Sequence, residues 1–341
     1  MEVNQFCFQE EEVNIKKKFL SQIIITPFKE LYEIFIDEDK AIDYLFNKNI
    51  LNKIVRCNKC NFTISYYIKK RVYRCNNYQC RKQISIFKDT FFYNLKLPIN
   101  NILHILYEYL KKTPQNSVSA SLNVTESTIS YYYNLFRNIV HMDIIENIKN
   151  NVIGGINKEV EIDESLFNKR KYNKGHPVNG IWVLGGVEHG TKKVFTIPVE
   201  KRDKATLLKN IKKYVKPGTT IYTDCWKGYV DLKENGYNHK TVNHKKYFKD
   251  PITYAHTNTI EGTWNGFKIA IKPQYRTKNK LYYHLLECQW RKRLYKKNIW
   301  DQFLNIFQDN GKKVRKKYNV INLNDLQVFS YVYIDKSNKV S

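Results

Sequence analysis

The sequence predicts an α/β protein in which a mixed domain of strands and helices follows a small cysteine module and a helical segment. Three observations carry this reading. Cys57, Cys60, Cys75 and Cys80 cluster as two close pairs, while the other three cysteines are scattered. Residues 159–199 and 220–224 show the apolar alternation of strands. Residues 204–214 and 257–310 carry apolar residues at helical spacing.

Composition sets the outer limits. The chain has 341 residues and is 42% hydrophobic, enough for two or three domains with cores of their own. Its 58 Lys and Arg outnumber 32 Asp and Glu, a net charge of +26, and a polyanion such as nucleic acid is the expected partner. No run of 18 apolar residues is present, so no membrane partner is expected. The stretch Glu10, Glu11, Glu12 is unlike a secretory leader, which with the odd cysteine total predicts a reducing compartment.

The elements follow in order. Residues 1–56 read as a helical N-terminal segment, with Asp37 as a cap and Ala41, Ile42, Leu45 and Phe46 as an apolar stripe. Residues 57–92 form the cysteine module. Cys57-x2-Cys60 and Cys75-x4-Cys80, on two hairpins, have the spacing of one tetrahedral zinc site, a zinc ribbon. Such a module has too little core to fold alone, so the metal supplies the missing stability. Arg74, Arg81 and Lys82 flank the ligands and suit either phosphate contacts or a solvated surface. Residues 93–150 are helical. Within them, 117–139 have the form of a helix-turn-helix, with Asn123 replacing the usual turn glycine. Thr128, Ser130, Tyr131 and Asn134 would then face a DNA groove, although structural helical hairpins look similar. Residues 155–300 form the α/β domain, and 301–341 are expected to be a basic tail.

Three acidic residues stand out. Asp163 and Asp224 end strand-like runs, where open α/β sheets gather their chemistry. Glu261 lies on a helix whose buried stripe is Ile260, Trp264, Phe267 and Ile271, while Glu261, Asn265, Lys268 and Lys272 make the neighbouring stripe. Strand, strand and helix in that order predict an RNase H-like fold. Hard carboxylate oxygens suit Mg²⁺ or Mn²⁺. Two such ions about 4 Å apart can activate the attacking oxygen and stabilise the leaving oxygen of a phosphodiester. Lys268, on the same face as Glu261, would reach a phosphate. Each acid alone is more often a turn or cap residue.

The blocks CNKC, YRCNNYQCRKQISIFKDTFF, VEIDESLF, IWVLGGVE, IYTDCWKGY and HTNTIEGTWNGFK occur in one order over about residues 40–295. In this the chain resembles Merlin-superfamily transposases and the related ISXO2-like transposases of bacterial insertion sequences. The resemblance implies a DDE triad at Asp163, Asp224 and Glu261, with Lys268 seven residues beyond the Glu. It also implies cleavage and joining of DNA at terminal inverted repeats. Double-stranded DNA, as element ends and target, is then the partner, handled by a homodimer or higher synaptic complex, with no small-molecule substrate. A domesticated DNA-binding relative and an RNase H-like nuclease without strand transfer are the competing readings. The compartment would be the nucleus in a eukaryote, where 312–317 (KKVRKK) suits an import signal, and otherwise the cytoplasm at the nucleoid.

Overall fold

The computed structural model describes residues 24–146, 152–168, 180–242 and 256–318. These divide into two compact units, Ile25–Met142 with the chain from Asn298 onward, and Asp143–Lys297.

The first unit opens with two helices, α1 (Phe28–Ile36) and α2 (Glu38–Asn47). Asp37 separates them and caps α2 by accepting the N–H groups of Asp39 and Lys40. The expected stripe Ala41, Ile42, Leu45 and Phe46 is buried. Next comes an antiparallel three-stranded sheet of β1 (Ile64–Tyr67), β2 (Val72–Cys75) and β3 (Gln83–Ser85). Then follow α3 (Ile99–Lys111), α4 (Gln115–Leu122) and α5 (Glu126–Glu146). Asn123 sits between α4 and α5 at φ 51°, ψ 43°, the left-handed conformation that its short polar side chain tolerates.

In the second unit, β4 (Ile153–Gly154) is followed by β5 (Glu159–Phe167), β6 (Ile181–Glu188) and β7 (Val194–Val199). After these come α6 (Lys204–Tyr214), β8 (Val215–Lys216), β9 (Thr220–Asp224) and β10 (Asn238–Val242), with a 3₁₀ helix at Lys227–Asn235. The unit closes with α7 (Asn258–Ala270) and α8 (Lys278–Arg293). Five strands form one sheet in the order β10-β9-β5-β6-β7. β5, β6 and β7 are antiparallel neighbours, while β9 runs parallel to both β5 and β10. The pleat sends alternate residues of β5 to opposite faces. Val160 and Ile162 pack with Leu207, Ile211, Tyr229 and Leu232 on one side. Phe167 packs with Ile260, Trp264, Phe267, Leu281 and Leu285 on the other. Burying each such side chain contributes about 1.5–3 kcal/mol, so both faces are held.

Two expectations are corrected. The stretch from Ile299 is not the start of a tail but a helix, α9 (Ile299–Tyr318), in the same unit as α1–α4. Its apolar face drives this: Trp300 and Phe303 are fully buried, and Phe307 stacks on Phe91 at 4.6 Å between ring centroids. The 312–317 cluster therefore has a helical backbone, while residues 319–341 fall outside the described residues. The helical stripe Glu261, Asn265, Lys268 does not extend to Lys272. Helix α7 stops at Ala270, and Lys272 is extended at φ −56°, ψ 148° because Pro273 follows it.

Candidate functional site

The sheet order puts β9 beside β5. Asp224 is the last residue of β9, as expected, but Asp163 does not end its strand: β5 runs on to Phe167 because its pairing with β6 continues through Phe167↔Ile181. Asp163 points to the α7 side, and Trp264 Nε1 of α7 donates to its Oδ2 at 3.0 Å. That bond depends on a small residue. Gly185 on β6 pairs directly with Asp163, and a Cβ there would come within 2.4 Å of the Trp264 ring. The glycine leaves room for the indole to approach the strand and deliver its N–H to the carboxylate.

The three acids share one electrostatic neighbourhood. Burial pushes the Asp163 carboxyl up to about 6, with the charges of Asp224 and Glu261 adding to the rise and hydrogen bonds from the Glu164 N–H and Trp264 opposing it. Asp224 accepts the Trp226 N–H at 3.0 Å through Oδ1. Glu261, in the first turn of α7, is exposed, and its Oε1 accepts from Thr257 Oγ1 at 3.1 Å. The three carboxylates are not among the groups whose ligand atoms all lie within 4.8 Å of one another. Their donors are all hard oxygens, and their mutual repulsion is what a divalent cation would relieve, so the set fits Mg²⁺ or Mn²⁺ held between separated ligands rather than in a closed cage.

Lys268 is half-buried on the same side. Burial and the nearby Arg276 hold its ammonium below the ordinary lysine range, and Asp163 pulls the other way. Arg276 donates to the carbonyls of Ile271, Lys268 and Asn168, so it ties the C-terminus of α7 to the end of β5. Spacing gave no sign of Gly185, Trp264 or Arg276 as supports of the site. The pairing register, which sequence does not print, is what joins them. On the opposite face Glu164 accepts from Tyr229 Oη at 2.5 Å, and burial pushes its carboxyl up to about 7.

In the first unit the four cysteines converge. Cys57 and Cys80 lie 3.8 Å apart, and Cys60 and Cys75 3.4 Å. A zinc tetrahedron with Zn–S near 2.3 Å has edges of roughly 3.8 Å, whereas a disulfide needs about 2.05 Å. The backbone repeats the same device twice. The Cys57 N–H bonds to Phe62 O and the Cys75 N–H to Lys82 O, and the residues after the second cysteines, Asn61 and Arg81, both have positive φ. The donor set and its spacing fit zinc. Of the flanking cations, Arg81 is exposed, Lys82 is half-buried, and Arg74 is half-buried with a buried, unpartnered Nε. Thr128 is half-buried and bonds to Thr125 Oγ1, Ser130 is half-buried, and Tyr131 and Asn134 are exposed. Lys272 is exposed. No helix among the described residues is long and apolar enough to cross a membrane.

Comparison with known proteins gives four matches. The family described as the ISXO2-like transposase domain matches residues 153–292. An uncharacterized transposase-like protein of Haemophilus influenzae is 34% identical over 100 residues, which is 29% of this chain and 80% of that protein. Among solved structures, the Mos1 strand transfer complex matches with 11% identity and a TM-score of 0.23, covering 63% of this chain and 75% of that one. A pre-cleavage Mos1 transpososome matches at 10% identity and a TM-score of 0.16, covering 62% and 78%.

Proposed function

This chain belongs to the ISXO2-like transposase family, and on that premise we propose that it is a DDE transposase that binds terminal inverted repeats, cuts DNA at them and transfers the cut strand to target DNA. The observation that carries the reading is geometric: β5 pairs with β9, so Asp163 and Asp224 lie on neighbouring strands, and the Trp264 bond to Asp163 brings α7, the helix of Glu261, onto the same face. A sheet whose central strand is flanked by an antiparallel hairpin on one side and parallel strands on the other supports assignment to the RNase H-like class.

Asp163, Asp224 and Glu261 would hold divalent cations. When bound, such ions supply positive charge at the scissile phosphate and help ionise the attacking hydroxyl. Trp264 orients the Asp163 carboxylate, and Thr257 orients that of Glu261. Lys268, on the Asp163 side of the helix, contacts a phosphate next to the scissile bond. Cys57, Cys60, Cys75 and Cys80 hold zinc and so brace a module whose Arg74, Arg81 and Lys82 meet DNA phosphates. Thr128 and Ser130 of α5 and Lys272 beyond α7 add contacts, and two copies of the chain pair the two element ends.

The test uses purified full-length protein, a duplex carrying the element end, and Mg²⁺. Asp163→Asn, Asp224→Asn and Glu261→Gln should each lower cleavage by roughly a hundredfold or more, with duplex binding retained. Cleavage at the wild-type rate in any of the three overturns the assignment. Pre-cut ends and a target plasmid test joining, and cleavage without joining reduces the proposal to a nuclease.

A further inference from the structure

A second constellation lies in the same unit and has no part in the reaction described above. Glu161 of β5 is fully buried. Its Oε2 accepts the Ile260 N–H of α7 at 2.8 Å. Its Oε1 lies 2.5 Å from His189 Nε2, in the turn between β6 and β7, and 3.1 Å from His256 Nδ1, just ahead of α7. The two imidazole rings stack at 5.3 Å and 13°. The three ligand atoms all fall within 4.8 Å of one another.

We propose that Glu161, His189 and His256 form a binding site for a divalent transition-metal ion of the zinc class. Hydrogen bonding alone accounts for only part of the geometry. His256 Nδ1 is buried and, although 3.1 Å from a carboxylate oxygen, makes no hydrogen bond to it. A nitrogen aimed into a shared centre, and not along a bond to its neighbour, is how a ligand lone pair is oriented. His189 also has the support a ligand imidazole needs. Its Nδ1 is 3.1 Å from Glu159 Oε2, and Glu159 in turn accepts from Tyr222 Oη at 2.8 Å. An outer carboxylate on one ring nitrogen fixes the tautomer that turns the other lone pair inward.

Two imidazoles and one carboxylate select zinc, cobalt or nickel over magnesium. The histidine side chains are 24% and 26% exposed, so the fourth position of a tetrahedral ion faces solvent. The proton now shared between His189 and Glu161 would leave to solvent as the ion enters. Lys292, which interacts with Glu161, is the opposing charge, and burial lowers its ammonium to about 8. The ion would join β5, the β6–β7 turn and the segment entering α7, and so clamp the start of the helix that carries Glu261. The site does not rest on the transposase reading.

The test is metal content and cobalt absorption of the full chain, dialysed against Mg²⁺ so that oxygen-only sites are filled. The expected result is about two zinc ions per chain. Cobalt titration should then show two steps, one with a thiolate charge-transfer band and one with visible d–d bands alone. His189→Ala and His256→Ala should each remove the second step, leave the thiolate step and bring zinc to about one per chain. Asp224→Asn should leave both ions in place. One zinc per chain in the wild type, or two retained in both histidine variants, overturns the proposal. Should either variant fail to fold by circular dichroism, the wild-type cobalt spectrum decides alone, since a single thiolate step also overturns it.

Discussion

Adjacent carboxylates on β5 face opposite ways and meet different fates. Asp163 looks toward α7, while Glu164 is enclosed against Tyr229 with its carboxyl raised to about 7 from an ordinary value near 4.5. The folded state therefore keeps the Glu164 proton in a range where the unfolded chain has lost it. Stability falls as pH rises from 4.5 toward about 7, and the loss persists above that. Glu164→Gln keeps an acceptor for Tyr229 and removes the ionisation. We expect it to be more stable than the wild type by about 2–3 kcal/mol at about pH 8, and near parity at about pH 4, in urea unfolding. A variant weaker than the wild type at the higher pH contradicts the burial argument. At this scale the sequence was partly legible. Alternation along residues 159–163 sets Asp163 and Glu164 on opposite faces. It also sets Glu161 on the Asp163 face, but nothing in the spacing announces that His189 and His256 arrive from distant segments to meet it. Periodicity tells which side a residue faces, and not who waits there.

Among the elements, strand, strand and helix were readable because each has a strong local pattern. Apolar residues of Thr220–Asp224 sit beneath a terminal acid, and Ile260, Trp264 and Phe267 recur at helical intervals. Less readable was the end of α7. The stripe pattern ran on to Lys272, yet Pro273 turns the residue before it extended, and Arg276 caps the free carbonyls instead. The seat of α7 on the sheet was also hidden, because it rests on an absent side chain. Gly185→Ala tests this directly. The added methyl meets Trp264 at 2.4 Å with Thr196 on its other side at 3.2 Å. The indole must move, and the expected cost is about 1–3 kcal/mol of unfolding free energy. Cleavage should fall further than stability alone accounts for, because Asp163 loses its Trp264 partner. Unchanged melting and unchanged cleavage together would show that the close approach has no consequence.

Over the whole molecule, charge dominates. A surplus of +26 spread through the sequence calls for counterion release on DNA. The logarithm of the binding constant should fall linearly with the logarithm of salt. For six to ten phosphate contacts the loss is about 10³–10⁵ in affinity between roughly 50 and 200 mM salt. A flat profile in a fluorescence anisotropy titration would remove the electrostatic account. The division into units was the least legible property. Helix α9 carries basic residues that read as tail, and its aromatic face is separated by some 150 intervening positions from the helices it completes.

That return of the chain has a consequence for how the protein is made. Phe91, Tyr109 and Phe136 leave the ribosome long before Phe303 and Phe307, the rings they finally pack against. During synthesis the early unit waits with an open apolar seam until the last helix emerges to shut it. A polypeptide halted after Lys297 would retain every acid of the triad and every cysteine of the module, yet leave that seam unsealed and available to other chains.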